Sequence, residues 1–179
     1  ASDSPISQRY TFPSSPHMVS LLILAPAPTD LSATSFGGLP VKNVGESLDW
    51  PCCSSCELPM QYLGKIATDI GLELIFMCQS DPGMCDDYDP EIGGNRVIVI
   101  KPQKLEILPA PSTGETTRGP EYGALIVGVE AEDYDVAREN WAKNQPESGR
   151  NILGQLHGEP AWIQGEETPD CSACGKPMR

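Results

Sequence analysis

Alternation of apolar and polar side chains is confined to short stretches of this chain. The clearest is 72–78, Leu-Glu-Leu-Ile-Phe-Met-Cys, where Leu72, Leu74, Phe76 and Cys78 share one face of a predicted strand. Cys78 therefore stands at the strand's end, on the side of Leu74 and Phe76. Residues 60–66 suit a second strand, and the Val/Ile run from Arg96 to Ile100 reads as a buried one. Leu21 to Ala25 reads as a short buried strand stopped by Pro26 and Pro28, and Ala124 to Val129 adds another. Helical spacing occurs once, at Tyr134, Ala137 and Trp141, in a segment that Pro146 ends.

The intervening stretches are turns and connections. Residues 1–17 are Ser/Pro-rich and aperiodic, a flexible arm. Gly37 to Pro40 forms a turn, and Asp81 to Gly94 an acidic loop carrying Cys85. Residues 109–120, rich in Pro, Gly and Thr, read as a linker between a lobe at 18–108 and a lobe at 121–179. The pattern predicts an α+β fold, strand-dominated and antiparallel, with few helices.

One pattern occurs twice. Cys53-Ser54-Ser55-Cys56 is followed by Pro59-Met60, and Cys171-Ser172-Ala173-Cys174 by Pro177-Met178, each after a Gly/Pro-rich approach (37–40 and 158–162). This predicts an internal duplication whose knuckles hold metal. The first copy runs on into Gln61-Tyr62-Leu63, whereas the sequence closes at Arg179, so the second half is expected to be truncated or to dispense with that strand.

Composition supports a metal. A hydrophobic fraction of 39% with 18 Pro and 17 Gly describes a turn-rich chain that needs stabilisation beyond core burial. The formal charge of -13 disfavours nucleic acid, whose phosphates are held by Lys and Arg, and favours a basic protein partner; keeping the chain soluble is the plainer use. Seven cysteines, grouped 52/53/56, 78/85 and 171/174, are an odd set for a disulfide framework. Metal-bound thiolates in a reducing compartment place the protein in the cytoplasm. Met18 to Ala25 is short for a signal peptide and lacks a basic cluster in front, and no apolar run is long enough for a membrane-spanning helix.

A Cys-x-x-Cys turn brings two sulfurs to one ion, and Zn²⁺ takes four ligands in a tetrahedron. Two completions are open: the local set Cys53, Cys56, Cys78 and Cys85, or the cross-repeat set Cys53, Cys56, Cys171 and Cys174. The longer loop costs only about 1.5 kcal/mol more to close, little against roughly 10–16 kcal/mol for zinc binding. The local set is preferred because it gives Cys78 and Cys85 a use. Cys52, outside the spacing, is expected to be a plain buried thiol. A thioredoxin-like reading of Trp50-Pro51 and the following cysteines lacks the helix that would lower a thiol pKa. A calcium loop counted from Asp87 would need Gly where Ile92 stands. His157 beside Glu159 reads as a turn histidine in preference to a general base or a metal ligand, and Glu166 and Glu167 read as exposed carboxylates. There is no Gly-x-Ser-x-Gly and no Gly-Lys-Ser/Thr loop, so no catalytic residues are assigned.

Gly37-Gly38-Leu39-Pro40, Trp50-Pro51 with Cys53-x-x-Cys56-x-x-Pro59-Met60, then Phe76-Met77-Cys78 and Cys85, resemble the YwqG-like family of unknown function. Residues 157–165, followed by Cys171-x-x-Cys174, look like that family's second repeat. The first copy is also similar to the programmed cell death protein two family. The resemblance implies a duplicated antiparallel fold with peripheral helices and no established enzymatic activity. Eukaryotic relatives are regarded as chaperones of a basic ribosomal protein, and some bacterial ones lie beside toxins, which implies an immunity role. Relatives continue past the second Pro-Met into a strand and later metal-ligand candidates. The combined expectation is a non-enzymatic, zinc-stabilised binding module for a basic toxin, with a ribosomal-protein chaperone or a zinc-dependent hydrolase or transferase as alternatives.

Overall fold

The computed structural model of the protein describes residues 17–81, 83–86, 88–89, 91–145, 151–162, 165 and 168–177. Residues 1–16 of the expected arm, Asp87, Pro146, Glu166, Glu167 and Met178 lie outside the described residues. The elements are β1 (His17–Ala25), β2 (Ser35–Phe36), β3 (Val41–Asn43), β4 (Gln61–Thr68), β5 (Gly71–Met77), β6 (Asn95–Ile100), β7 (Leu105–Ile107), β8 (Tyr122–Ala131), α1 (Tyr134–Asn144) and β9 (Ile152–Leu156).

Seven strands form one antiparallel sheet in the order β6-β5-β4-β2-β8-β1-β9, and β3 pairs with β7 separately. The strand-dominated α+β class is as the alternation predicts. Two apolar clusters sit on the sheet. Val41, Met60, Tyr62, Leu72, Leu74 and Phe76 build the first, with Trp50 edge-on to Phe76 at 5.6 Å between ring centroids. Leu21, Ile23, Ala131 and Ala137 build the second, where α1 packs Tyr134 and Trp141 over β1 and β8. Asp133 caps that helix by accepting a hydrogen bond from the Val136 N–H at 2.9 Å. Among the described residues no helix is long and apolar enough to cross a membrane.

Three details depart from the pattern. His17, placed in the arm, already belongs to β1, because pairing with β8 runs the full length of the strand to His17 opposite Ala131. β6 is not buried: Val97 is 54% and Val99 47% exposed. As the outermost strand it has one face against the core through Ile98 and Ile100 and the other in solvent, so an all-apolar run does not imply two covered faces. Finally, β1 lies between β8 and β9, and its Leu21 and Ile23 pack with Ala131 and Ala137 from beyond the 109–120 segment.

β2 joins the sheet's two parts, pairing Ser35 and Phe36 with β4 on one side and β8 on the other. Its approach is close. A Cβ on Gly64 would lie 2.6 Å from the Ser35 carbonyl oxygen and 2.9 Å from the Phe36 Cα, so only glycine fits there.

Candidate metal centre

The first knuckle is a tight turn held by its own backbone. Cys53 N–H donates to the Leu58 carbonyl and Glu57 N–H to the Cys53 carbonyl, both at 2.9 Å, while Cys52 bridges Pro59 in antiparallel fashion. Closing the turn puts Glu57 in the left-handed region at φ 62°. The turn is anchored to the acidic loop, where Ser54 N–H donates to the Gly93 carbonyl at 3.1 Å. Cys78 N–H donates to the Gly94 carbonyl at 2.7 Å, fixing the end of β5 to the same glycine pair. A Cβ on Gly93 would come within 2.3 Å of Ser54 Oγ, so the loop approaches the knuckle as closely as a glycine allows.

These anchors bring four sulfurs together. The Sγ atoms of Cys53, Cys56, Cys78 and Cys85 all lie within 4.8 Å of one another, with Cys53, Cys78 and Cys85 buried and Cys56 half-buried. Cys56 and Cys78 are 3.7 Å apart. Every donor is a sulfur, and the group is embedded in the first apolar cluster. Four converging thiols of this kind could hold a metal ion, and they are the local set weighed from the sequence.

The electrostatics fit such a role. Burial pushes the Cys53 thiol up, but the N–H groups of Cys56 and Ser55 and the thiols of Cys78 and Cys56 outweigh it and bring Cys53 down to about 7. Burial raises Cys78 and Cys85, and hydrogen bonding toward the neighbouring thiols raises both further. Cys53 is thus shifted toward the thiolate, and Cys78 and Cys85 toward the thiol. A bound cation would deprotonate all four and release protons.

Cys171 and Cys174 stand outside this group among the described residues. Their turn nonetheless repeats the first knuckle's backbone. Cys171 N–H donates to the Lys176 carbonyl at 2.8 Å and Gly175 N–H to the Cys171 carbonyl at 2.7 Å. Asp170 bridges Pro177 as Cys52 bridges Pro59, and Gly175 has φ 64° where Glu57 has 62°. The N–H groups of Ala173 and Cys174 and the Cys174 thiol lower Cys171. It lines a crevice with Asp89 and Glu91.

Other expectations resolve simply. Cys52 is exposed rather than buried, because the bridge to Pro59 turns it out of the core that holds Cys53. Neither Cys-x-x-Cys turn opens α1, the one α-helix among the described residues, and the first leads into β4. His157 sits in an exposed turn at φ 62°.

One polar cluster carries only a faint sequence signal. Lys65, 1% exposed, donates to Ser35 Oγ at 2.5 Å and Glu121 Oε1 at 2.7 Å. A bulge between Tyr62 and Gly64 shifts the register, so Lys65 pairs with Leu74 and turns to the core face. Tyr62 Oη is buried close by without a hydrogen-bond partner, and burial, then the Glu121 charge, holds its pKa well above the usual range. A lone Lys in an apolar strand beside a Gly is the faint hint that could have been followed.

Comparison with protein-family models, curated proteins and solved structures finds no match to this chain.

Proposed function

We propose that the chain is a non-enzymatic protein-binding module, stapled by one zinc ion on Cys53, Cys56, Cys78 and Cys85, whose acidic surface engages a basic protein. The observation that carries the reading is the four-sulfur convergence in the core. Zinc–sulfur bonds of about 2.3 Å make a tetrahedron with edges of about 3.8 Å, which matches the 3.7 Å between Cys56 and Cys78. All-thiolate ligation is soft, which selects zinc over calcium or magnesium. Four protein ligands close the tetrahedron and leave no position for water, so the ion is structural and a zinc hydrolase or transferase is disfavoured.

The charge supplies the other half of the reading. Twenty-five acidic residues against twelve basic ones give -13, and Asp81, Asp86, Asp89 and Glu91 cluster in the loop beside the zinc ligands. Such a surface speeds encounter with a cationic partner. In its most concrete form the chain is an immunity protein that sequesters a basic toxin in the cytoplasm.

Capture of the partner from the native host, with elemental analysis of the same sample, tests both halves. One zinc per chain and an association rate that falls steeply with added salt are expected. A metal-free folded protein overturns the zinc staple, and a salt-insensitive rate overturns the charge-driven partner. Recovery of a ribosomal protein in place of a toxin converts the immunity role into chaperoning.

A further inference from the structure

We propose that two copies of this chain join through β6, whose outer edge pairs antiparallel with the same strand of the second copy across a twofold axis at Ile98. The inference is independent of the basic-partner reading. β6 ends the seven-strand sheet, and among the described residues its far edge is unpaired from Arg96 to Ile100. Such an edge presents a row of N–H and C=O groups spaced to fit another extended strand. The two ends of the sheet differ in this respect. β9 pairs with β1 through an irregularity between Leu22 and Ile23, the kind of break that blunts an edge. β6 pairs with β5 over six consecutive residues without a shift and contains no Pro. Ile98 and Ile100 pack against the core, which leaves Val97 and Val99 exposed on the opposite face.

Symmetry and charge select a second copy as the occupant. A twofold axis perpendicular to the sheet brings up an antiparallel strand with the same face outward, so opposed residues share a face. Centred on Ile98, the axis sets Val97 opposite the second copy's Val99 and Val99 opposite its Val97, which gathers the four valines into one apolar patch. Centred on Val97, it would leave each Val99 opposite Asn95, so the apolar match favours Ile98. The strand is also flanked by unlike charges: Asp89 and Glu91 precede it, and Lys101 and Lys104 follow it. Lys101 Nζ donates to the Ile70 carbonyl, which keeps its charge at the strand's end. Antiparallel pairing lays the acidic end of each copy along the basic end of the other, whereas a uniformly basic segment would bring its own cations up to the two lysines. The charge of -13 on each copy opposes association at long range, but that repulsion is screened beyond about 8 Å at physiological ionic strength.

The test follows the mass of the full, zinc-loaded chain by sedimentation at protein concentrations up to about 1 mM, with amide hydrogen exchange on the same samples. A rise from one chain to two is expected, and the amides of residues 96–100 should gain protection in step with it. Val97→Glu and Val99→Lys should each weaken dimerisation by at least roughly ten-fold, because each change occurs twice in a symmetric pair. Mixed in equal amounts, the two variants should dimerise again, since the new carboxylate of one then faces the new ammonium of the other. Both positions are exposed, so an unchanged thermal midpoint checks that the variants are folded. If either fails that check, the exchange data on the unsubstituted chain decide alone. A single-chain mass at every concentration overturns the proposal. So does a dimer that both variants leave intact or whose 96–100 amides stay unprotected, because its seam then lies elsewhere. Weakening by both variants without recovery in the mixture overturns the twofold at Ile98.

Discussion

Lys65 holds a full positive charge inside the fold, answered by Glu121 and Ser35. The two ends of this pair differ in exposure, 1% for the lysine side chain and 29% for the glutamate, so removing either partner has unequal consequences. Glu121→Gln strands a buried ammonium and should cost roughly 3–5 kcal/mol, whereas Lys65→Met leaves a carboxylate that water can still reach and should cost less. Urea unfolding of the two variants checks the order. The Lys65 and Ser35 hydrogen bonds outweigh burial and hold the Glu121 carboxyl below its ordinary 4.5. Its contribution is therefore present above about pH 4.5 and lost as pH falls through the folded value, so the stability gap between wild type and Glu121→Gln should shrink with acid. Such residues were illegible in the sequence for a physical reason. Period-2 alternation groups Lys65 with Leu63, and only the bulge, a tertiary event, reverses it. The converging thiols were legible because two of them share a turn and Cys78 continues the face of Leu74 and Phe76.

β2 has two residues, below any length at which apolar periodicity can be read, yet it joins β4 to β8. Its fit depends on Gly64. Gly64→Ala would drive a methyl into the Ser35 carbonyl and the Phe36 backbone, and the expected loss is about 1–3 kcal/mol. An unchanged urea slope with a lower midpoint would show that the fold persists and only its stability falls. β1, β4, β5, β8 and α1 were read correctly in kind from their apolar runs and one-sided periods, whereas β9 was read only as a lead into the 158–162 approach. β6 was read in kind but not in exposure, since the sequence of an edge strand does not say that its second face is open. The short β3 and β7 escaped notice for the same reason as β2.

For the molecule as a whole, the zinc reading makes stability conditional on the ion. Apparent zinc energies of roughly 10–16 kcal/mol match or exceed the 5–15 kcal/mol of an ordinary domain, so chelation should abolish the cooperative thermal transition of the first apolar cluster. Cys78→Ser should do the same, with zinc content falling below one per chain. Cys52→Ser, exposed and outside the cluster, should stay within about 0.5 kcal/mol of wild type, and Cys171→Ser with Cys174→Ser should leave stoichiometry unchanged. Calorimetry and elemental analysis read all three. The sign of the charge was plain from composition, but the seat of β1 was not, because its partners β8 and β9 lie beyond the 109–120 segment.

That insertion sets a timetable for the nascent chain. β1 is made before either of its neighbours, β8 and β9, which end at Ala131 and Leu156. At about 5–20 residues per second, a translating ribosome leaves an apolar segment with two vacant edges for roughly 5–25 s. During that interval, strand-seeking aggregation competes with correct assembly, and a holdase that shields Leu21, Leu22 and Ile23 would raise the yield of folded protein without altering its final stability.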